Sequence, residues 1–177
     1  RTLELAIDLL KKHPKLNLSL NVSGLTANDH EWLAALQSLT GSRRHIMERL
    51  TIEITETAAI SDLDHSVAFV DTLKELGCKV AIDDFGAGYT SFKNLKALNI
   101  DMVKIDGAFV KNMAESFSDQ AFIKTMIELA QTFKLETVAE WVGDAQTCDM
   151  LAEAGVDYLQ GFHFGQPITE QELPAGI

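Results

Sequence analysis

Short segments that read as strands alternate with amphipathic helical segments along almost the whole chain, and this rhythm restricts the fold more than any other feature. Strands are expected over 16–21, 50–57, 79–84, 102–106, 136–140 and 156–161, where apolar or β-branched residues alternate with polar ones or run together. Helices are expected over 1–13, from Asn28 or Asp29 to Gly41, from Ser61 or Asp62 to Gly77, and over 91–98, 119–133 and 144–154. The tail from Pro167 onward has little pattern. Such alternation closes either as a doubly wound open sheet or as a TIM-like (β/α)8 barrel that lacks part of itself.

The polar residues favour the barrel. Asn21, Glu53, Glu56, Asp83, Asp84, Lys104, Asp106, Glu140 and Gln160 fall at or near the C-terminal ends of successive strands. Barrel enzymes place their chemistry on that face, whereas an open sheet gathers it at one switch point. About six strands do not complete an eight-stranded barrel, so one or two strands are expected to precede Arg1. With 177 residues and 46% hydrophobic content the chain is expected to form a single domain over 1–177.

Charge and cysteine content exclude several functions. A formal net charge of -11, with only short basic pairs such as Lys11-Lys12 and Arg43-Arg44, argues against a nucleic-acid polymer as partner. A small anionic ligand is compatible if metal ions supply positive charge. Cys78 and Cys148 match no soft-metal spacing, and no apolar run is long enough to span a bilayer. The expected location is therefore cytoplasmic, although a longer parent protein could be membrane-anchored.

Two adjacent carboxylates at a strand end, Asp83 and Asp84, repel each other unless a cation lies between them, although a solvated turn explains the same dipeptide. An Asn amide with several carboxylates and no thiolate is an oxygen-donor set suited to Mg2+ or Mn2+. Two such ions sharing a carboxylate can clamp the attacking and leaving oxygens of a phosphodiester, and the Asp83-Asp84 pair suits that bridge. Lys104, between Val103 and Ile105, would orient or deprotonate a water, neutralise phosphate, or balance charge in a structural ion pair. Phe117, Phe122 and Phe133 read as core or interface, and His163 as a residue just beyond a candidate site.

Six segments resemble, in order, the motifs of the EAL-domain cyclic di-GMP phosphodiesterases: Asn21-Val22-Ser23, Glu53-Ile54-Thr55-Glu56, Asp83 to Tyr89, Val103-Lys104-Ile105-Asp106, Val138-Ala139-Glu140 and Gln160-Gly161-Phe162. The resemblance runs from about Leu16 to Pro167. It implies an EAL-type barrel and two Mg2+ or Mn2+ ions that hydrolyse cyclic di-GMP to linear pGpG. It further implies that Asn21, Glu53 and Asp83 ligate one ion and that Asp83, Asp84 and Glu140 surround the other. Lys104 resembles the residue that contacts the hydrolytic water, Asp106 its neighbour at the substrate edge, and Gln160 a residue of the nucleotide pocket. Glu56 resembles the support of the loop after Asp84, which in this family also contributes to a homodimer interface. The resemblance also allows a fused sensory or diguanylate-cyclase-type domain in the parent protein.

Two departures keep a second reading open, that of a catalytically impaired EAL domain acting as a cyclic di-GMP receptor or signalling module. The Glu of the Glu-Ala-Leu signature is expected on a strand before Arg1. The family's usual Ala-Glu-Gly-Val-Glu is Ala139-Glu140-Trp141-Val142-Gly143 here, with a bulky residue in place of the Gly and no carboxylate at the last position.

Overall fold

Among the described residues, six strands join in one parallel sheet whose spatial order is the chain order. They are β1 (Leu18–Asn21), β2 (Leu50–Thr55), β3 (Lys79–Phe85), β4 (Met102–Ile105), β5 (Glu136–Ala139) and β6 (Tyr158–Leu159). The computed structural model describes residues 1–27, 29–41, 43–87 and 92–174. Parallel neighbours need a crossover, and helices supply it. In chain order these are α1 (Thr2–Lys12), α2 (Gly24–Ala27), α3 (His30–Thr40), α4 (Arg44–Met47), α5 (Glu56–Ser61), α6 (Leu63–Leu76), α7 (Phe92–Ala97), α8 (Gly107–Val110), α9 (Phe117–Phe133) and α10 (Ala145–Ala154).

Among the described residues the strand order never reverses, so the sheet they form has no switch point of the doubly wound kind. The architecture is an incomplete TIM-like barrel, with β1 and β6 at the two edges of the described sheet. Strands covered on both faces explain the apolar runs: Leu50, Ile52, Val80, Ala81, Val103, Ile105 and Ala139 are all fully buried. Ile7 and Leu10 of α1 and Val70 and Leu73 of α6 meet the strands in the same core.

Helix ends follow local side-chain chemistry. Asp29, Asp62, Ser116 and Asp144 cap α3, α6, α9 and α10 by accepting from the backbone N–H of Glu31, His65, Asp119 and Thr147. Asn28, the alternative first cap, lies outside the described residues, as do Gly88, Tyr89, Thr90 and Ser91 of the expected turn and helix start.

The departures from expectation that matter most fall at two strand ends and in the tail. The strand expected over 50–57 stops at Thr55, because the Thr55 hydroxyl accepts from the Ala58 N–H at 3.4 Å and starts α5. The strand expected over 156–161 is reduced to Tyr158–Leu159. Asp157 takes both the N–H and the hydroxyl of Thr137 on its carboxylate, each at 2.8 Å, so a side chain replaces ladder pairing there. The tail is not patternless: Thr169 and Glu172 form a capping box around the short 3-10 turn Glu170–Glu172, and Glu170 pairs with Lys12 at 2.9 Å.

At the N-terminal end of the sheet Arg49 ties α1 to β1. Its guanidinium donates to the carbonyls of Leu10, His13 and Leu16 at 2.6, 2.9 and 2.8 Å. These carbonyls lie where a helix ends and a strand begins and intrahelical donors run out, so a fixed cationic fork supplies donors to them. The opposite end of the sheet gathers the charged residues.

Candidate active site

Side chains alternate along a strand, so residues at the C-terminal ends reach the same mouth only if the registers agree. They do: Asn21 lies level with Glu53, and Thr55 with Asp83, while Lys104 on β4 lies level with Val138, two residues before Glu140. The register shift between Ile82 and Phe85 on the β3–β4 edge falls at the Asp83-Asp84 pair. Asp84 has φ 54° and Gly86 φ 101°, so the chain turns sharply as β3 ends.

Lys104 is the centre of the site. Its side chain is only 5% exposed, and its Nζ lies 2.8 Å from Glu53 Oε2, 2.9 Å from Asp83 Oδ1 and 2.7 Å from Glu140 Oε1. Burial alone would push the Lys104 pKa down, but the carboxylates of Glu140, Glu53 and Asp83 outweigh it and hold it above its ordinary value. The ammonium therefore stays charged. Three carboxylates against one ammonium leave a surplus of negative charge, to which Asp84 adds. Burial, then the charges of Asp83 and Glu53, raise the Glu140 pKa against the opposing pull of Lys104. Burial and the neighbouring Asp83 likewise raise that of Asp84.

The donor set fits a hard divalent cation. Carboxylate oxygens of Asp83, Asp84 and Glu140 all lie within 4.8 Å of one another. Asp83 Oδ1 is close enough to Lys104 for ion pairing but poorly directed as a hydrogen bond, which leaves a buried oxygen with unused lone pairs. Asn21, at the end of β1, is exposed and lines a cleft of about 430 Å³ with Leu20, Val22, Thr26 and Trp32.

The remaining expected residues divide by position. Glu56, 3% exposed at the start of α5, reaches the loop after Asp84, where its Oε2 accepts from the Gly86 N–H at 2.9 Å. Asp106 caps α8, accepting from the Ala108 N–H at 2.8 Å. Gln160 lines a cleft of about 370 Å³ with Glu140, Trp141, Gly143, Gly161 and Phe162. The rim of this cleft is laced by backbone: Gln160 N–H donates to the Ala139 carbonyl, and Val142 N–H donates to that of Gln160. His163 stands beyond it, edge-on to Phe164.

Two aromatic contributions escape a linear reading. Phe122 of α9 stacks on Phe109 of α8 at 4.0 Å, and Gly86 sits so close that a Cβ there would lie 2.9 Å from the Phe122 ring. The turn that follows Asp84 is thus braced by aromatic rings on one side and Glu56 on the other. Phe162 is 72% exposed at the second cleft, and its Gln-Gly-Phe motif was the signal that could have found it. Phe133 belongs to the core, whereas Phe117 is exposed.

Known proteins resemble this chain in sequence and in fold. Cyclic di-GMP phosphodiesterase PdeF of Escherichia coli K12 is 31% identical over 166 residues, covering 94% of this chain and 22% of the relative. The PaMucR phosphodiesterase, solved in complex with c-di-GMP, superposes with a TM-score of 0.91 at 30% identity, covering 98% of this chain and 77% of that one. The FimX EAL domain of Pseudomonas aeruginosa, solved bound to c-di-GMP, gives a TM-score of 0.86 at 28% identity, covering 93% and 67%. The chain thus spans about a fifth of the length of PdeF, whose match lies in one part of a longer protein. The family profile described as the EAL domain matches residues 1–167, including α1, which the sequence motifs did not reach. The chain belongs to the EAL domain family.

Proposed function

We propose that this chain hydrolyses cyclic di-GMP to linear pGpG with two divalent cations, Mg2+ or Mn2+. The observation that carries the reading is the buried Lys104 ammonium held among Glu53, Asp83 and Glu140, with Asp84 completing an acidic cluster. The names of PdeF and of the PaMucR complex support the substrate. Asn21, Glu53 and Asp83 would hold one ion and Asp83, Asp84 and Glu140 the other; bound cations would polarise the phosphodiester and acidify the attacking water.

The chain's own residues do the rest. Lys104, whose ammonium is held among Glu53, Asp83 and Glu140, donates toward the water or a phosphate oxygen. Glu56 keeps the turn at Gly86 in place, so Asp84 stays aimed at the cluster. Asp106 and Gln160, at the mouths of β4 and β6, border the nucleotide. Opening one ester bond consumes one water and leaves a phosphomonoester and a free hydroxyl. A second copy of the chain, docked through the loop after Asp84, and a fused sensory or diguanylate-cyclase-type domain complete the proposed assembly.

Gly143 favours one second reading. It supplies no carboxylate where the family's motif carries one, which suits a receptor that binds cyclic di-GMP without turnover. The test is incubation of the full protein carrying this chain with cyclic di-GMP and Mg2+ or Mn2+, with products resolved by chromatography. Metal-dependent pGpG supports the enzyme; tight binding without pGpG supports the receptor; neither defeats both.

A further inference from the structure

Trp141 is held in a costly way for no evident core purpose. Its φ of 58° lies in the left-handed region that a bulky side chain disfavours, and the residue is 58% exposed. The ring nevertheless has a defined seat. A Cβ on Gly107 would come within 2.3 Å of Trp141 Cγ and 2.4 Å of Cδ1, so the indole occupies the space that a side chain at 107 would fill. Lys111 closes over it, with Nζ 3.5 Å from the ring centroid. Gly107 opens α8 and Lys111 is its C-cap, so the indole spans this helix from end to end.

A helix of four residues does not persist by itself and takes its position from what touches it. Val110 is fully buried and Phe109 stacks on Phe122, which fixes the inner side of α8. The indole fixes the outer side. Asp106 is the N-cap of this same helix, and Glu140 immediately precedes Trp141.

We infer that Trp141 is a positioning residue: by clamping Gly107 and Lys111 it locks α8, and with it the Asp106 carboxylate, against the loop that carries Glu140. This rests on the cyclic di-GMP reading only for the consequence in turnover. The clamp also sets one wall of the cleft shared by Glu140 and Gln160.

Hydrogen exchange and kinetics on the full protein test it with W141G, W141F and G107A. Trp141→Gly relieves the backbone, because glycine accepts positive φ, while removing the clamp. Amides of 107–111 are expected to exchange about tenfold faster in W141G, with the melting temperature within about 2 °C of wild type. W141F, which keeps a ring beneath Lys111, restores the slow exchange; G107A, which evicts the indole, reproduces W141G. The KM for cyclic di-GMP is expected to rise about tenfold in W141G with a smaller change in kcat. Unchanged exchange over 107–111, or a rise spread over the whole chain together with a lower melting temperature, would overturn the inference. Absence of turnover in wild type defeats the catalytic reading alone, since the exchange measurement stands without it.

Discussion

Replacing Lys104 by Met tests whether its ammonium is the internal counter-ion of the carboxylate cluster. Each of its contacts, at 2.7–2.9 Å, has a gross attraction of about 6 kcal/mol at an effective dielectric near 20. Most of that is offset by desolvation of the charges, and removing one partner of a buried ion pair costs about 3–5 kcal/mol net. At about 2–4 °C per kcal/mol for a chain of this size, metal-free K104M should melt about 6–20 °C below wild type. A divalent cation then becomes the main remaining source of positive charge. Mn2+ at a hundredfold its dissociation constant for K104M should return about 2.7 kcal/mol, and at that same Mn2+ concentration the rise should be smaller in wild type, whose carboxylates are already paired with Lys104.

The deficit is also pH-dependent. Glu140 and Asp84 already have raised pKa values, and loss of Lys104 removes the charge that opposes that rise. A carboxylate whose pKa is raised by folding binds more protons in the folded chain than in the unfolded one. Its protonation therefore stabilises the fold at low pH, and that gain is lost as pH rises through the folded pKa. The difference between K104M and wild type in EDTA should accordingly narrow as pH falls from 7 towards 5. Thermal melts followed by circular dichroism measure all of this. A metal-free melting temperature within 2 °C of wild type, or a Mn2+ response no larger than that of wild type, would refute the counter-ion argument.

Glu56→Ala should leave the Gly86 N–H without its carboxylate, lowering stability by about 1–3 kcal/mol and speeding amide exchange at Gly86; exchange-rate mass spectrometry checks the site. Burial pushes the Cys78 thiol up to about 12, so iodoacetamide at pH 8 should modify half-buried Cys148 and spare Cys78 in the native chain, as peptide mapping would record. Gly161→Ala should displace the loop after β6, because its Cβ would fall 2.2 Å from the Val142 carbonyl oxygen; weakened cyclic di-GMP binding by calorimetry is the expected readout.

Much of the architecture is carried by local sequence. The alternation of leucines with polar residues over 16–21, the β-branched run over 50–55 and the caps Asp29, Asp62 and Asp144 are properties of neighbouring residues, so element types and the parallel class are legible without a structure. The strand-end acids are legible too, because period-two alternation assigns each to the mouth of its strand. Boundaries were less so: Thr55 and Asp157 each chose a side-chain hydrogen bond over the ladder, a competition decided by partners three and twenty residues away.

Sequence alone thus determined the strand-helix rhythm, the charged ends and the family motifs. Tertiary structure decided which of those ends meet. Lys104 had no assigned partner until its ammonium was seen among Glu53, Asp83 and Glu140. Trp141 was a departure from a motif until Gly107 and Lys111, 34 and 30 positions earlier in the chain, gave its ring a seat. The physical reason is common to both: a side chain's charge state and rotamer depend on groups that approach it only after the strands have assumed one register, and no local pattern records those distances.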